Sequence, residues 1–187
     1  MLNPTGPRTS MEGNSLLNPA GADLKRVITP QLIFAIRRKY DLDWTGLHGV
    51  RHWARVRKVG LELARVTGAR TNVVELFSFL HDSCRRGDGH DPDHGRRAVG
   101  FATQLRADCL ELDDEDFTLL CEAIEYHSEG HLGADVTVQT CWDADRLDLE
   151  RVGIQPEPHK VCTEAARKMI SRTRPLGTSL TPLGTRT

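Results

Sequence analysis

Apolar residues recur along the chain at intervals of three and four, the period of an amphipathic helix. Thr29-Pro30 reads as an N-cap followed by proline at the first helical position, and Leu32, Ile33, Ile36 and Tyr40 form the stripe of a helix ending near Asp41. A loop over 42–49 carries Trp44 and His48. Val56, Val59, Leu63 and Val66 then predict a helix over 50–67 with His52 and Arg55 near that face, stopped by Gly68. Thr71-Asn72 restarts a helix with Val73, Val74, Leu76, Phe77 and Leu80 inward, ending at His81-Asp82. The polar run 85–93 is full of turn residues. Asp93 can cap the next helix, whose stripe is Ala98, Phe101, Ala102 and Leu105 and which ends near Asp108. Another helix runs from Asp113-Asp114 through Phe117, Leu120, Cys121 and Ile124 to about His127, and 128–133 is a loop. The pattern over 137–149 is helical, with Val138, Cys141, Trp142 and Leu147 apolar-side, and a last helix is expected over 159–172. Only 135–138 hints at a strand. The expectation is an all-α domain of six or seven helices over 23–172.

The ends break this period. Residues 1–22 are rich in Pro, Gly, Asn, Ser and Thr, and 173–187 carry Pro, Gly and Thr, so both are expected to be flexible tails. Met1 and Met11 are both candidate starts. A length of 187 residues suits one domain with a proper core. Charge adds exclusions: Lys+Arg 25 against Asp+Glu 26 supplies no basic field for nucleic acid or an anionic membrane surface. No apolar run is long enough to span a bilayer and the start is too polar for a secretory signal, so a cytoplasmic location is expected. Five scattered cysteines without a C-x-x-C pair read as reduced thiols, not as a disulfide frame or zinc knuckle.

Candidate chemistry comes from eight histidines, most of them between His48 and His131. His52 lies in the second helix, His81-Asp82 close the third, His94 opens the fourth, His127 closes the fifth and Asp145 lies in the sixth. Bundles build metal sites in this way, from side chains on facing helices. Nitrogen with carboxylate oxygen suits Fe, Mn, Zn, Ni or Co better than calcium. His81 and Asp82, being adjacent, diverge by about 100° on a helix and converge only on a point beyond its end or on a metal between them. Helical spacing places Asp145 toward the core beside Trp142, with Asp143 and Asp148 nearer the outer face. His90 rivals His94, four positions away; His131 and His159 read as surface residues, Trp44 and Trp142 as core.

The order His52-x-x-Arg55-Val56, His81-Asp82 and Ala144-Asp145-Arg146-Leu147 resembles the HD superfamily of metal-dependent phosphohydrolases, over roughly 44–149. The resemblance implies a single HD-type helical domain with His52, His81, Asp82 and Asp145 as the minimal metal set. His94 and His127 resemble the two further histidines that give many members a second metal, Asp82 then bridging both. It implies one or two divalent transition-metal ions. Asp82 and Arg85 are the expected catalytic residues. Relatives often carry Glu, Lys or His at the position of Arg85, and arginine there suits phosphate binding. Arg85, Arg86, Arg97 and His48 are the expected substrate contacts, with Arg51 and Arg146 as further candidates and Glu129 as a candidate proton donor. The implied function is hydrolysis of a phosphoester or phosphoanhydride in a small metabolite, foremost a nucleotide. Two alternatives accompany it: a di-iron oxygenase cleaving a C–C or C–P bond, and a non-catalytic nucleotide-sensing module. An oligomer is compatible with all three.

Overall fold

The computed structural model describes residues 26–173. The tails expected over 1–22 and 173–187 lie outside them, except Thr173 at the end of the last helix, and so do both candidate starts. The described residues form seven α-helices and no strand: α1 (Pro30–Lys39), α2 (Val50–Thr67), α3 (Thr71–Leu80), α4 (His94–Asp108), α5 (Asp114–Tyr126), α6 (Val136–Leu147) and α7 (Glu164–Thr173). Two short 3-10 helices, Asp148–Val152 and Pro158–Lys160, join α6 to α7. The suspected strand at 135–138 is instead the capped start of α6, where the Asp135 carboxylate accepts from the Thr137 amide. The last helix begins at Glu164 rather than 159, because Thr163 takes the capping place and its hydroxyl accepts from the Ala166 amide.

Several signals act as the local chemistry requires. The Thr29 hydroxyl accepts from the Leu32 amide at 3.1 Å, and Gly68 leaves α2 in the left-handed conformation, φ 77. Asp93 holds the N-cap position of α4, but its carboxylate makes no capping hydrogen bond and faces Arg96 instead.

The core sits where α2 lies against both α3 and α6, with α5 packed on α3, α4 and α6. Trp53 and Val56 of α2, Phe77 and Leu80 of α3, Ile124 of α5 and Val138 of α6 are all fully buried. Val66, expected on the inner stripe, is 76% exposed: the last turn of α2 packs through Leu63, Ala64 and Thr67, whose hydroxyl meets that of Thr140 on α6, and Val66 lies on the other side. Asp143, expected outside, is fully buried: α6 is covered on nearly every side, and the 3-10 segment and α7 close over it. No helix of the described residues is long and apolar enough to cross a membrane.

One close approach sets the site. A Cβ on Gly95 would lie 2.6 Å from the Glu125 carbonyl oxygen and 2.7 Å from that of Ile124, so α4 touches α5 backbone to side-chainless backbone. Gly95→Ala is therefore expected to push α4 from α5 and destabilise the fold by about 1–3 kcal/mol. It should also part His94 from His127, so thermal unfolding and metal content should fall together; an unchanged melting temperature would refute the contact.

Candidate metal centre

His52 is the third residue of α2, His81 the cap at the end of α3, His94 the first residue of α4 and His127 the cap at the end of α5, while Asp145 lies in the last turn of α6. All four histidines are buried, at 0 to 4% exposure, and Asp82 is 3% exposed. His81 and Asp82 reach one point because it lies beyond the end of α3: His81 Nε2 stands 3.6 Å from Asp82 Oδ2. The partial negative C-terminal ends of α3 and α5 both arrive here, a favourable setting for a cation.

The hydrogen bonds fix the tautomers. His81 Nδ1 donates to the Phe77 carbonyl at 3.1 Å, His127 Nδ1 to that of Ile124 at 2.7 Å, and His94 Nδ1 to that of Asp91. A carbonyl only accepts, so each Nδ1 carries the proton and each Nε2 a lone pair. His52 Nδ1 donates to Asp148 Oδ2 at 2.7 Å. The bare nitrogens then face one another, His52 Nε2 to His81 Nε2 at 3.1 Å and His94 Nε2 to His127 Nε2 at 2.8 Å. Buried lone pairs directed at each other need a proton or a cation between them.

Carboxylate oxygens stand close enough to both pairs to share a cation with them. His52 Nε2 is 3.3 Å from Asp145 Oδ1 and 3.6 Å from Asp82 Oδ2, and His81 Nε2 is 3.6 Å from each. Ligand atoms about 2.1 Å from a shared ion lie about 3.0–3.4 Å apart for right-angled to tetrahedral geometry. The other oxygen of Asp82, Oδ1, is 3.3 Å from His94 Nε2 and 3.6 Å from His127 Nε2. One carboxylate thus faces both pairs of histidines, the disposition of a bridging ligand. The groups His52, His81, Asp145 and His81, Asp82, His127 each converge tightly enough to hold an ion. These residues fit one or two transition-metal ions.

Electrostatics agree with this reading. Burial pushes the Asp82 and Asp145 carboxyls upward, but the imidazoles around them outweigh it and hold both well below the usual carboxylate range. Burial pulls His52 and His127 down, and the facing carboxylates outweigh it in turn, so both end above the ordinary histidine value; His81 is left below it by burial. Protons therefore compete with metal at His52 and His127 from a higher pH than at free imidazole, about 6.5. Bound metal is expected to fall steadily between about pH 7 and about pH 5. Elemental analysis after desalting at each pH checks this; full occupancy at the acid end would contradict it.

Beside the centre opens a cavity of about 680 Å³, walled by Leu132, Leu149, Ile154, Pro156 and Val161 and reached by Arg85, Arg146, Arg151, His159 and Lys160. His48 lines it and bonds Asp82 Oδ2 through Nδ1 at 2.9 Å. Arg85 also lines it, with Nη1 3.4 Å from Asp82 Oδ1. Arg86 and Arg97, expected at the substrate, belong instead to a separate groove with Lys39 and Cys84. Arg97 is engaged there by the Asp91 carboxylate and the Cys84 carbonyl. Arg51 is exposed outside the cavity, and Glu129 pairs with His131 in the solvent. His90 is exposed, while its rival His94 is at the centre.

Two participants escape a helical reading of the sequence. Asp148, expected outside, is 8% exposed and holds His52; Arg151 lines the cavity and reaches Asp148 Oδ2 at 3.5 Å. The reason is the change of helix type after Leu147. At three residues per turn Asp148 and Arg151 fall on one side of the 3-10 segment, and Asp145, three residues earlier in the last turn of α6, is their neighbour. Their regular i, i+3 spacing is the signal that would have found them.

A solved structure shares this fold: that of a predicted HD superfamily hydrolase from an uncultured Thermotogales bacterium, at 22% identity and TM-score 0.60, over 76% of this chain and 82% of that one. The likeness is one of fold, an all-α domain of HD type. No protein-family model and no curated protein matches the chain.

Proposed function

We propose that this protein is a metal-dependent phosphohydrolase that cleaves a phosphoester or phosphoanhydride bond of a small metabolite, with a nucleotide as the leading candidate. The observation that carries the reading is the joining of the His/Asp centre to a cavity whose lining combines arginines (Arg85, Arg146, Arg151) with aliphatic side chains (Leu132, Leu149, Ile154, Val161). The neighbour of like fold is named a predicted HD superfamily hydrolase, which agrees with it.

Bound metal supplies a Lewis acid and a water of lowered pKa. The chain's own part is to hold and orient. Arg85 Nη2 donates to the Gly89 carbonyl at 2.8 Å, which fixes its guanidinium beside Asp82, where its positive charge faces the phosphate of a substrate bound at the centre. Arg151 is pinned by the Asp148 and Leu47 carbonyls at the cavity edge. Arg146 donates to the His131 carbonyl at 2.7 Å and the Lys160 carbonyl at 3.2 Å, tying together two loops of the cavity wall. The aliphatic wall offers an apolar surface to the organic part of the substrate and excludes water from it. Free, well-separated cysteines fit a reducing, cytoplasmic setting.

The test combines elemental analysis of protein purified without chelator with a panel of nucleotides and simple phosphoesters. Phosphate release that depends on metal and persists without oxygen supports hydrolysis. Turnover that consumes oxygen with two irons per chain would establish the oxygenase instead, and bound nucleotide without turnover the sensing module.

A further inference from the structure

The two halves of the centre differ in charge and in what stands behind their histidines. In the first, His52 and His81 meet two carboxylates, Asp82 and Asp145. A third carboxylate, Asp148, receives the Nδ1 proton of His52 and is itself gripped by Arg55 Nε at 2.7 Å and Nη2 at 3.1 Å. In the second, His94 and His127 share only Asp82 Oδ1 and stand on neutral backbone carbonyls. Arg85 lies across this half, its Nη1 3.4 Å from that same oxygen and 3.3 Å from His94 Nε2. The guanidinium is anchored there: Nε donates to the Gly87 carbonyl at 3.3 Å and Nη2 to that of Gly89 at 2.8 Å.

We propose that the centre takes up metal in a fixed order, tightly in the His52–His81–Asp82–Asp145 half and weakly in the Asp82–His94–His127 half, and that Asp148 and Arg85 set the difference. Asp148 acts as a positioning residue. It holds the His52 ring in the Nδ1–H tautomer and, by drawing on that proton, makes Nε2 a more basic ligand. Arg55 keeps the carboxylate in place for this. Arg85 works in the opposite sense: it donates to the Nε2 lone pair that a second ion would need and confronts that ion with a fixed positive charge. The second ion must also share its one carboxylate with the first. The inference rests on the metal-dependent reading and refines it, but it is read from binding without substrate, so its failure and failure of the phosphohydrolase reading are separately visible.

Chelator-stripped full-length protein titrated with Mn²⁺ by calorimetry should show two unequal steps, with electron paramagnetic resonance detecting isolated Mn²⁺ at one equivalent and coupled pairs beyond it. His94→Ala should lose the weak step and keep the tight one. Asp148→Asn should weaken the tight step about 10–100-fold, the range for loss of a partner behind a ligand. Arg55→Lys should weaken it less, which guards against a variant that simply misfolds, as does circular dichroism on each protein. Arg85→Gln should tighten the weak step about tenfold or more, or reveal a second ion if the parent protein binds only one. Two equal steps in the parent, loss of the tight step in His94→Ala, an unmoved tight step in folded Asp148→Asn, or an unmoved weak step in Arg85→Gln would each overturn the proposal.

Discussion

His81→Ala is expected to remove the tightly bound metal and lower kcat/KM on any phosphoester substrate by about 10³-fold or more, since a metal supplies several kcal/mol of transition-state stabilisation. His81 Nε2 lies 3.1 Å from His52 Nε2 and 3.6 Å from Asp82 and Asp145, so its loss takes one member from a set of four at the centre of the domain. The ring is fully buried and stacked on Phe77 with centroids 4.8 Å apart, so the variant also leaves a small void. Circular dichroism separates the two effects: native helicity with metal gone is the expected pair. Asp145→Ala should behave alike with less cost to packing, because Asp145 stands at the cavity wall. If folded His81→Ala kept stoichiometric metal and parental activity, the centre would be wrongly assigned.

Asp143→Ala is expected to give the largest loss of stability without loss of metal. The carboxylate is fully buried and accepts from the Cys162 amide at 2.7 Å and from the Thr163 amide and hydroxyl at 2.8 Å each. Truncation leaves these donors unpaired in the interior, which costs about 3–5 kcal/mol in total given typical values for buried, charge-assisted bonds. For a domain of this size that lowers the melting temperature by about 10 °C or more. The bonds fasten the segment that carries Val161 and Lys160 into the cavity wall. KM should therefore rise while metal content holds, a pattern opposite to that of His81→Ala. A melting temperature within about 2 °C of the parent would show that the carboxylate bears little of the fold.

How much of this was legible before folding depends on the helix concerned. The bounds of α2 coincide with its pattern, since eighteen residues of steady amphipathicity meet a glycine stop. The site residues His52, His81, Asp82, His94, His127 and Asp145 were readable as polar groups of ligand type on or beside apolar helices, and the structure draws all six together. Arg86 follows the His-Asp pair closely in sequence and Arg97 follows His94, which is why both are expected at the substrate. In space the 85–93 loop turns both into another groove, because Asp91 captures Arg97 and the Arg86 amide.

Sequence alone determined the class of the fold, the helix starts at Thr29 and Asp113, and the kind of atoms offered to a metal. These follow from local periodicity, caps and donor chemistry, each settled within a few residues. Only the tertiary structure decided that Asp143 and Asp148 face inward, that Asp82 turns one oxygen to each pair of histidines, and that Arg85 rather than Arg86 meets the centre. Burial of α6 depends on what α7 and the 3-10 segments lay over it, and the aim of a carboxylate depends on partners tens of residues away. Helical period carries neither kind of information, so a polar residue on a covered helix looks, in sequence, the same as one in water.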